Sequence, residues 1–262
     1  MRWTERQQAM LQAMGLRLWG PAGDDPAASR SPLPLATDVS IAAPPIAAPP
    51  MAAVAAPVML SPERGAVASL DWSALRAAVA DCRACRLCET RTQTVFGVGH
   101  PQAHWMVVGE APGEQEDLKG EPFVGAAGRL LDRMLLALGL TRAGGEGADA
   151  AHQVYIANTL KCRPPRNRNP EPEELLRCQP FLERQVELIQ PRVILAMGRF
   201  AVQSLLDSSE PIGRLRGRVH TWRGRPLVVT YHPAYLLRSP ADKSRAWADL
   251  CLAARAAEAA QR

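Results

Sequence analysis

The sequence predicts an α/β protein, a three-layer αβα fold around a central, mostly parallel four-stranded sheet. Three observations predict it. Short apolar runs at His104–Gly109, Val154–Asn158, Val193–Met197 and Leu227–Thr230 have the length and composition of strands. Helical patterns at Trp72–Ala80, Gly128–Leu138, Pro172–Ile189, Phe200–Leu206 and Lys243–Ala259 lie between and around them. The two kinds of element alternate with short links, which calls for parallel strands covered on both faces by helices. Ligands of such sheets bind at the carboxyl ends of the strands, and the unusual residues of this chain fall there.

Ahead of that alternation the chain has a different character. Residues 1–20 read as a short amphipathic helical peptide, with Thr4 as N-cap, Gln7 three residues on and Gly15 as C-cap. Acidic and amide side chains interrupt it where the apolar run of a signal peptide would begin. Residues 21–65 are expected to be a disordered Ala/Pro-rich linker, since Pro21 to Pro62 holds 10 Pro and 12 Ala among 42 residues. The uncharged stretch Ile41–Leu60 is long enough to span a membrane, but five prolines within it argue for extended chain instead. Residues 70–262 form the expected catalytic domain.

At 262 residues and 47% hydrophobic content the chain can build a real core, which excludes collagen, a bundle of membrane spans and a wholly disordered protein. The net charge of +5 is uneven: residues 1–75 hold 5 Arg against 6 acidic residues, so the excess lies in the remainder. A basic surface of that kind suits a polyanion such as nucleic acid. Six cysteines, sparse and unevenly spaced, do not make an extracellular disulfide framework and point to a reducing, cytoplasmic setting.

Four of those cysteines form a constellation. Cys82-x2-Cys85 and, 76 residues later, Cys162-x15-Cys178 can close a tetrahedral thiolate site, for which Zn²⁺ and a [4Fe–4S] cluster are both suitable. Cys88 extends the first pair to C-x2-C-x2-C and offers a further ligand. Cys251, in the last helix, is expected only to pack.

The remaining signals follow predicted strands. Gly109-Glu110-Ala111-Pro112-Gly113-Glu114-Gln115-Glu116-Asp117 puts four carboxylates after a glycine-flanked turn, too many for a phosphate cradle. At least one is expected to orient water or to oppose a developing positive charge. Phe123 lies in a loop, where an aromatic ring can stack on a base. Asn158 ends a strand and offers an amide edge. His232, just before Pro233 and just after a strand, can donate from a neutral imidazole to an oxygen gaining negative charge. Tyr235 and Leu236 are expected in an exposed loop that runs to Arg238, as apolar wedges if DNA is the partner.

Gly109-Glu-Ala-Pro-Gly113-Glu-Gln-Glu-Asp117, Pro122-Phe-Val-Gly125, Tyr155-Ile-Ala-Asn158, Lys161-Cys-Arg-Pro-Pro165 and His232-Pro-Ala-Tyr-Leu-Leu237 together resemble the family 4 uracil-DNA glycosylases, over about residues 75–254. The resemblance implies a [4Fe–4S] cluster on Cys82, Cys85, Cys162 and Cys178. It also implies that Phe123 stacks on an extruded uracil, that Asn158 reads its amide edge, and that the backbone at Gly109, Glu110 and Ala111 receives a uracil oxygen. Glu116 would crowd the pyrimidine 5-position and exclude thymine. His232 would stabilise the leaving group, and Glu110 would orient the water, with Asp117 as a competitor.

On this reading the protein is a monomeric hydrolase that starts base excision repair on uracil-containing DNA, single- or double-stranded, with no membrane partner. Arg163, Arg166, Arg168, Arg214, Arg216, Arg218, Tyr235, Leu236 and Arg238 are the expected DNA contacts. The rival reading is damage-specific binding, or covalent capture of an abasic site, without turnover. A capturing branch of the superfamily carries a His in the loop after the Asn-bearing strand, and Lys161–Asn169 has none. Residues 1–19 look like the N-terminal peptide of a bacterial clamp-loader psi subunit, which implies a replisome protein as a tethering partner.

Overall fold

The computed structural model describes residues 64–144 and 148–260. The peptide expected at 1–19 and nearly all of the 21–65 linker lie outside the described residues. The first described helix, α1 (Arg64–Ala68), takes in Arg64 and Gly65 from the end of that expected linker. It packs Val67 against Leu75, Val79 and Phe181.

Helix α2 (Trp72–Ala80) starts where Asp71 accepts a hydrogen bond from the Ala74 N–H at 2.8 Å. Strands β1 (Val98–Gly99) and β2 (Trp105–Gly109) follow, then helices α3 (Glu114–Lys119) and α4 (Ala126–Ala137). Next come β3 (Val154–Asn158), α5 (Pro172–Ile189), β4 (Val193–Met197) and α6 (Arg199–Leu206). The order closes with α7 (Ile212–Leu215), β5 (Val219–Trp222), β6 (Arg225–Thr230), α8 (Pro233–Arg238) and α9 (Lys243–Ala259). Pro172 at the first turn and a reciprocal capping box between Glu171 and Glu174 fix the start of α5.

The sheet has six strands in the order β1-β3-β2-β4-β6-β5, where four were expected. The four expected strands are its parallel centre, with Gly109 beside Asn158 and Met197 beside Thr230. The two additional strands are antiparallel edges: β1 on β3, and β5 on β6. Strand β1 has only two residues, and β5 is largely exposed, so neither carries an apolar run. The β5–β6 hairpin turns on Arg223 and Gly224, both at positive φ as a two-residue hairpin requires.

Alternation along the buried strands sends residues to two covered faces. Met106, Val108, Ile194, Ala196, Leu227 and Val229 meet Leu182, Val186 and Ile189 of α5 and Val202 and Leu205 of α6. Helix α9 packs on β4 and β6 and buries Ala246, Leu250 and Ala253. No helix among the described residues is long and apolar enough to cross a membrane.

Candidate active site

The carboxyl ends of β2, β3, β4 and β6 open into one cleft of about 1020 Å³. Glu110, Ala111, Glu116, Phe123, Asn158 and His232 all line it, together with Arg168, Tyr235 and Arg238. Gly109, which ends β2, lies beneath two of these side chains without lining the cleft itself: a Cβ there would collide with both Asn158 Oδ1 and the Phe123 ring. That position needs glycine because the amide and the aromatic close over it.

Phe123 is buried and sits at φ 55°, a left-handed conformation that costs a bulky residue roughly 1–3 kcal/mol. Its ring stacks on the His232 ring with centroids 5.3 Å apart and planes at 27°. Glu116 holds the same loop, Oε1 accepting from the Val124 N–H at 3.0 Å and from the Gly125 N–H at 3.4 Å. Glu116 thus lies in the cleft and at the N-terminus of α4, where a carboxylate is favoured.

His232 is the N-cap of α8, and its Nδ1 accepts from the Ala234 N–H at 3.2 Å. With Nδ1 committed as an acceptor, the neutral ring carries its proton on Nε2. Burial, with Arg238 nearby, pushes its pKa down to about 4, so it is a neutral donor at pH 7. Glu110 is the opposite case: burial raises its pKa, partly offset because Oε1 accepts from the Phe200 N–H at 3.1 Å at the start of α6. Gly198 makes room for it, at φ 94° and with the Glu110 carboxylate where a Cβ would go. The Glu110 main-chain carbonyl is tied to the segment just after β3 by the Thr159 hydroxyl at 2.6 Å and the Leu160 N–H at 3.1 Å.

Several expectations change. Asp117 does not face the cleft; it is buried and accepts from the Thr92 and Gln93 N–H groups, which leaves Glu110 without that competitor. The segment from Tyr235 to Arg238 is helical, not a loop, because Pro233 at the first turn and the His232 cap start α8. Leu236 is therefore fully buried and cannot be a wedge from this position; the exposed neighbour is Leu237. Tyr235 reaches Asp242 through its hydroxyl at 2.7 Å and stacks on Tyr231.

The arginines divide as well. Arg216 is paired with the fully buried Asp249 at 2.9 Å and is occupied within the fold. Arg168 makes a two-pronged contact with Glu174, although it still borders the cleft. Arg163 donates to Asn167 Oδ1 at 2.8 Å. Arg166 and Asn167 sit consecutively at positive φ, which turns the exposed Arg166 outward from the loop. Sequence reasoning missed Arg199 and the Ser209–Gly213 segment, which also border the cleft. The Gly198-Arg199 step after a strand was the available signal.

Cys82, Cys85, Cys88, Cys162 and Cys178 line a second, smaller pocket. Arg91 joins its two sides, donating to Cys162 Sγ at 2.9 Å and to the Cys82 carbonyl at 2.8 Å. The Lys161 N–H donates to Cys178 Sγ at 3.2 Å. Burial pushes the Cys85 thiol up to about 11 and raises Cys162 and Cys178 as well. The donors aimed at sulfur suit thiolates that ligate iron. No group of three or more His, Cys, Asp or Glu side chains among the described residues is arranged to hold a single metal ion.

Fold and cleft together define an αβα protein in which a neutral imidazole donor, a carboxylate, an aromatic ring and an amide share one strand-tip cavity. Such a site suits hydrolysis with an anionic leaving group. The family model of the uracil DNA glycosylase superfamily matches residues 96–251. A type-4 uracil-DNA glycosylase of Archaeoglobus fulgidus is 46% identical over 170 residues, covering 62% of this chain and 81% of that protein. One from Thermotoga maritima is 42% identical, covering 64% of this chain and 83% of the relative. A type-5 uracil-DNA glycosylase of Thermus thermophilus is 34% identical over 53% and 68% of the two chains. The chain belongs to the uracil-DNA glycosylase superfamily, in its type-4 branch.

Proposed function

We propose that the protein excises uracil from DNA by hydrolysing the N-glycosidic bond, leaving an abasic site for base excision repair. The observation that carries this is the shared cleft: Phe123, Asn158, Glu110 and a neutral His232 with its proton on Nε2. A base inside a duplex is out of reach, so the uracil is rotated out at a cost of about a few kcal/mol, less when it is mispaired or single-stranded. Phe123 stacks on the flipped ring, the Asn158 amide pairs with its edge, and the backbone at Gly109, Glu110 and Ala111 receives an oxygen. Glu116 crowds the 5-position.

As the bond between C1′ and the base breaks, its electrons leave with uracil, and the sugar becomes oxocarbenium-like. His232 Nε2–H donates to the oxygen gaining negative charge, with no proton to shed first. Glu110 stays on the sugar side, where its carboxylate opposes the positive charge and orients water; the water oxygen bonds to C1′, its proton passes to Glu110, and the uracil anion takes up a proton from solvent on release.

Cys82, Cys85, Cys162 and Cys178 would hold a [4Fe–4S] cluster. The donor set suits such a cluster: these thiols border one pocket, and Arg91 and the Lys161 N–H donate to the sulfurs of Cys162 and Cys178. When bound, the cluster supplies a structural cross-link, not a step in the hydrolysis. That link fixes the 162–178 segment, from which Arg163, Arg166 and Arg168 approach phosphate, with Tyr235 and Arg238 on the other bank. Residues 1–19 act as a tether to a replisome protein, and the enzyme works as a cytoplasmic monomer.

The test is incubation with uracil-bearing oligonucleotides, single- and double-stranded, beside an Asn158→Ala variant. The expected product is an alkali-labile site, formed about 10²–10³ times more slowly by the variant. A protein–DNA adduct that survives denaturing electrophoresis would replace turnover with capture.

A further inference from the structure

We infer that Arg142, outside the cleft and outside every motif that marks the site, is a positioning residue for the aromatic platform. Its guanidinium donates to two consecutive main-chain carbonyls, Pro122 O at 2.8 Å from Nη1 and Phe123 O at 3.0 Å from Nη2. The Nε group donates to Asp132 Oδ1 at 2.7 Å, which orients the fork from α4. Arg142 is itself placed by the sheet. Its neighbour Thr141 receives the Val154 N–H at 3.0 Å and donates its own N–H to the His152 carbonyl at 3.0 Å, extending the edge at the start of β3.

The loop it grips is the one that needs gripping. Phe123 is a bulky residue in the left-handed region, a conformation that persists only where the surroundings fix it. Glu116 takes the N–H groups of Val124 and Gly125 from one side, and Arg142 satisfies the carbonyls of Pro122 and Phe123 from the other. Gly128 completes the frame, because a Cβ there would run into the Phe123 carbonyl. Arginine suits this post: its planar fork reaches two acceptors and a carboxylate at once, which a lysine cannot do. Without it, the ring that stacks on His232 loses one wall of its mount, and the slot widens where a flat base would enter.

The proposal rests on reading Phe123 as the stacking surface, so the experiment separates the two. Inhibition by free uracil is measured for the cluster-loaded wild type, Arg142→Ala, Phe123→Ala and the double variant, with melting temperatures alongside. Arg142→Ala is expected to weaken uracil inhibition about five- to tenfold. The same change in the Phe123→Ala background is expected to do almost nothing, because there is no ring left to position. Asp132→Asn, a surface change that loosens the same fork, gives a smaller loss of about twofold and serves if Arg142→Ala does not fold. Guanidinium ion at millimolar concentration restores part of the loss in Arg142→Ala.

Equal losses from Arg142→Ala with and without Phe123 would overturn the positioning role and leave the stacking reading intact. Unchanged uracil inhibition in Phe123→Ala would remove the stacking reading, and the clamp with it. A lower melting temperature in Arg142→Ala with unaltered uracil inhibition would make Arg142 structural only.

Discussion

In the strand-tip cleft Glu110, His232 and the Phe123 loop are held by the chain's own hydrogen bonds, whereas in the cysteine pocket burial raises three thiols and so opposes their ionised form. His232 is fixed through Ala234, Glu110 through Phe200, and the Phe123 loop through Glu116 and Arg142. The thiols of Cys85, Cys162 and Cys178 are instead pushed upward, with Arg91 and the Lys161 N–H as donors to two of the sulfurs. The cleft's side chains are held by the fold itself, whereas ionised thiols in the pocket would need a compensating positive charge. On the proposed function, recognition chemistry and the support of the 162–178 segment are separable, although both draw on the chain after β3.

The largest effect expected along that divide is His232→Leu, which lowers single-turnover cleavage about 10²–10³-fold while the visible absorption of the cluster stays as in the wild type. Loss of both would mean that the two regions are one cooperative unit. Phe123→Ala comes next, weakening free-uracil inhibition by about 1–3 kcal/mol with DNA affinity little changed. Cys162→Ser sharpens the contrast from the other side. It lowers the melting temperature and weakens binding to uncleavable DNA about tenfold, yet leaves free-uracil inhibition within about twofold. Arg166→Ala is smaller still, an approximately two- to threefold loss of DNA affinity with a salt slope shallower by about one.

Acid is expected to affect Glu110 and His232 differently. Burial raises Glu110 above its ordinary 4.5, so with its carboxylate as the proposed working form kcat/KM is expected to fall with decreasing pH through a midpoint above that value. His232 remains neutral across this limb, since its folded pKa is about 4. Its effect on stability has a definite sign. The unfolded chain takes up a proton near pH 6.5 and the folded chain only near 4, so stability declines as pH falls across that window. A pH-dependent melting series on wild type and His232→Leu reads this, with the variant flatter between those limits.

The longer helices were legible in the sequence. Helices at 72–80, 172–189 and 243–259 begin and end as read from their apolar patterns, and the structure adds the caps at Asp71 and Glu171 that fix the first two starts. Helices α3, α7 and α8 and strands β1 and β5 are too short to show a period. Glu110, Asn158 and His232 were legible because each ends or closely follows a strand, and parallel topology carries strand ends to one place. The roles of Glu116, in the next helix, and Phe123, beyond it, were reached through the family resemblance. The fate of individual arginines was not. Positive charge can be counted along a chain, but the carboxylate that claims Arg216 lies 33 residues away and is reached only by folding.

The sheet's margins have a consequence for how the protein keeps company with its own kind. A parallel core with bare flanks would offer long rows of amide and carbonyl groups to any passing extended chain. Here one flank is finished by two residues and the other by a four-residue strand folded back through a tight hairpin. Such stubs give a stray β-segment little to zip onto, so these borders work against fibrous self-association.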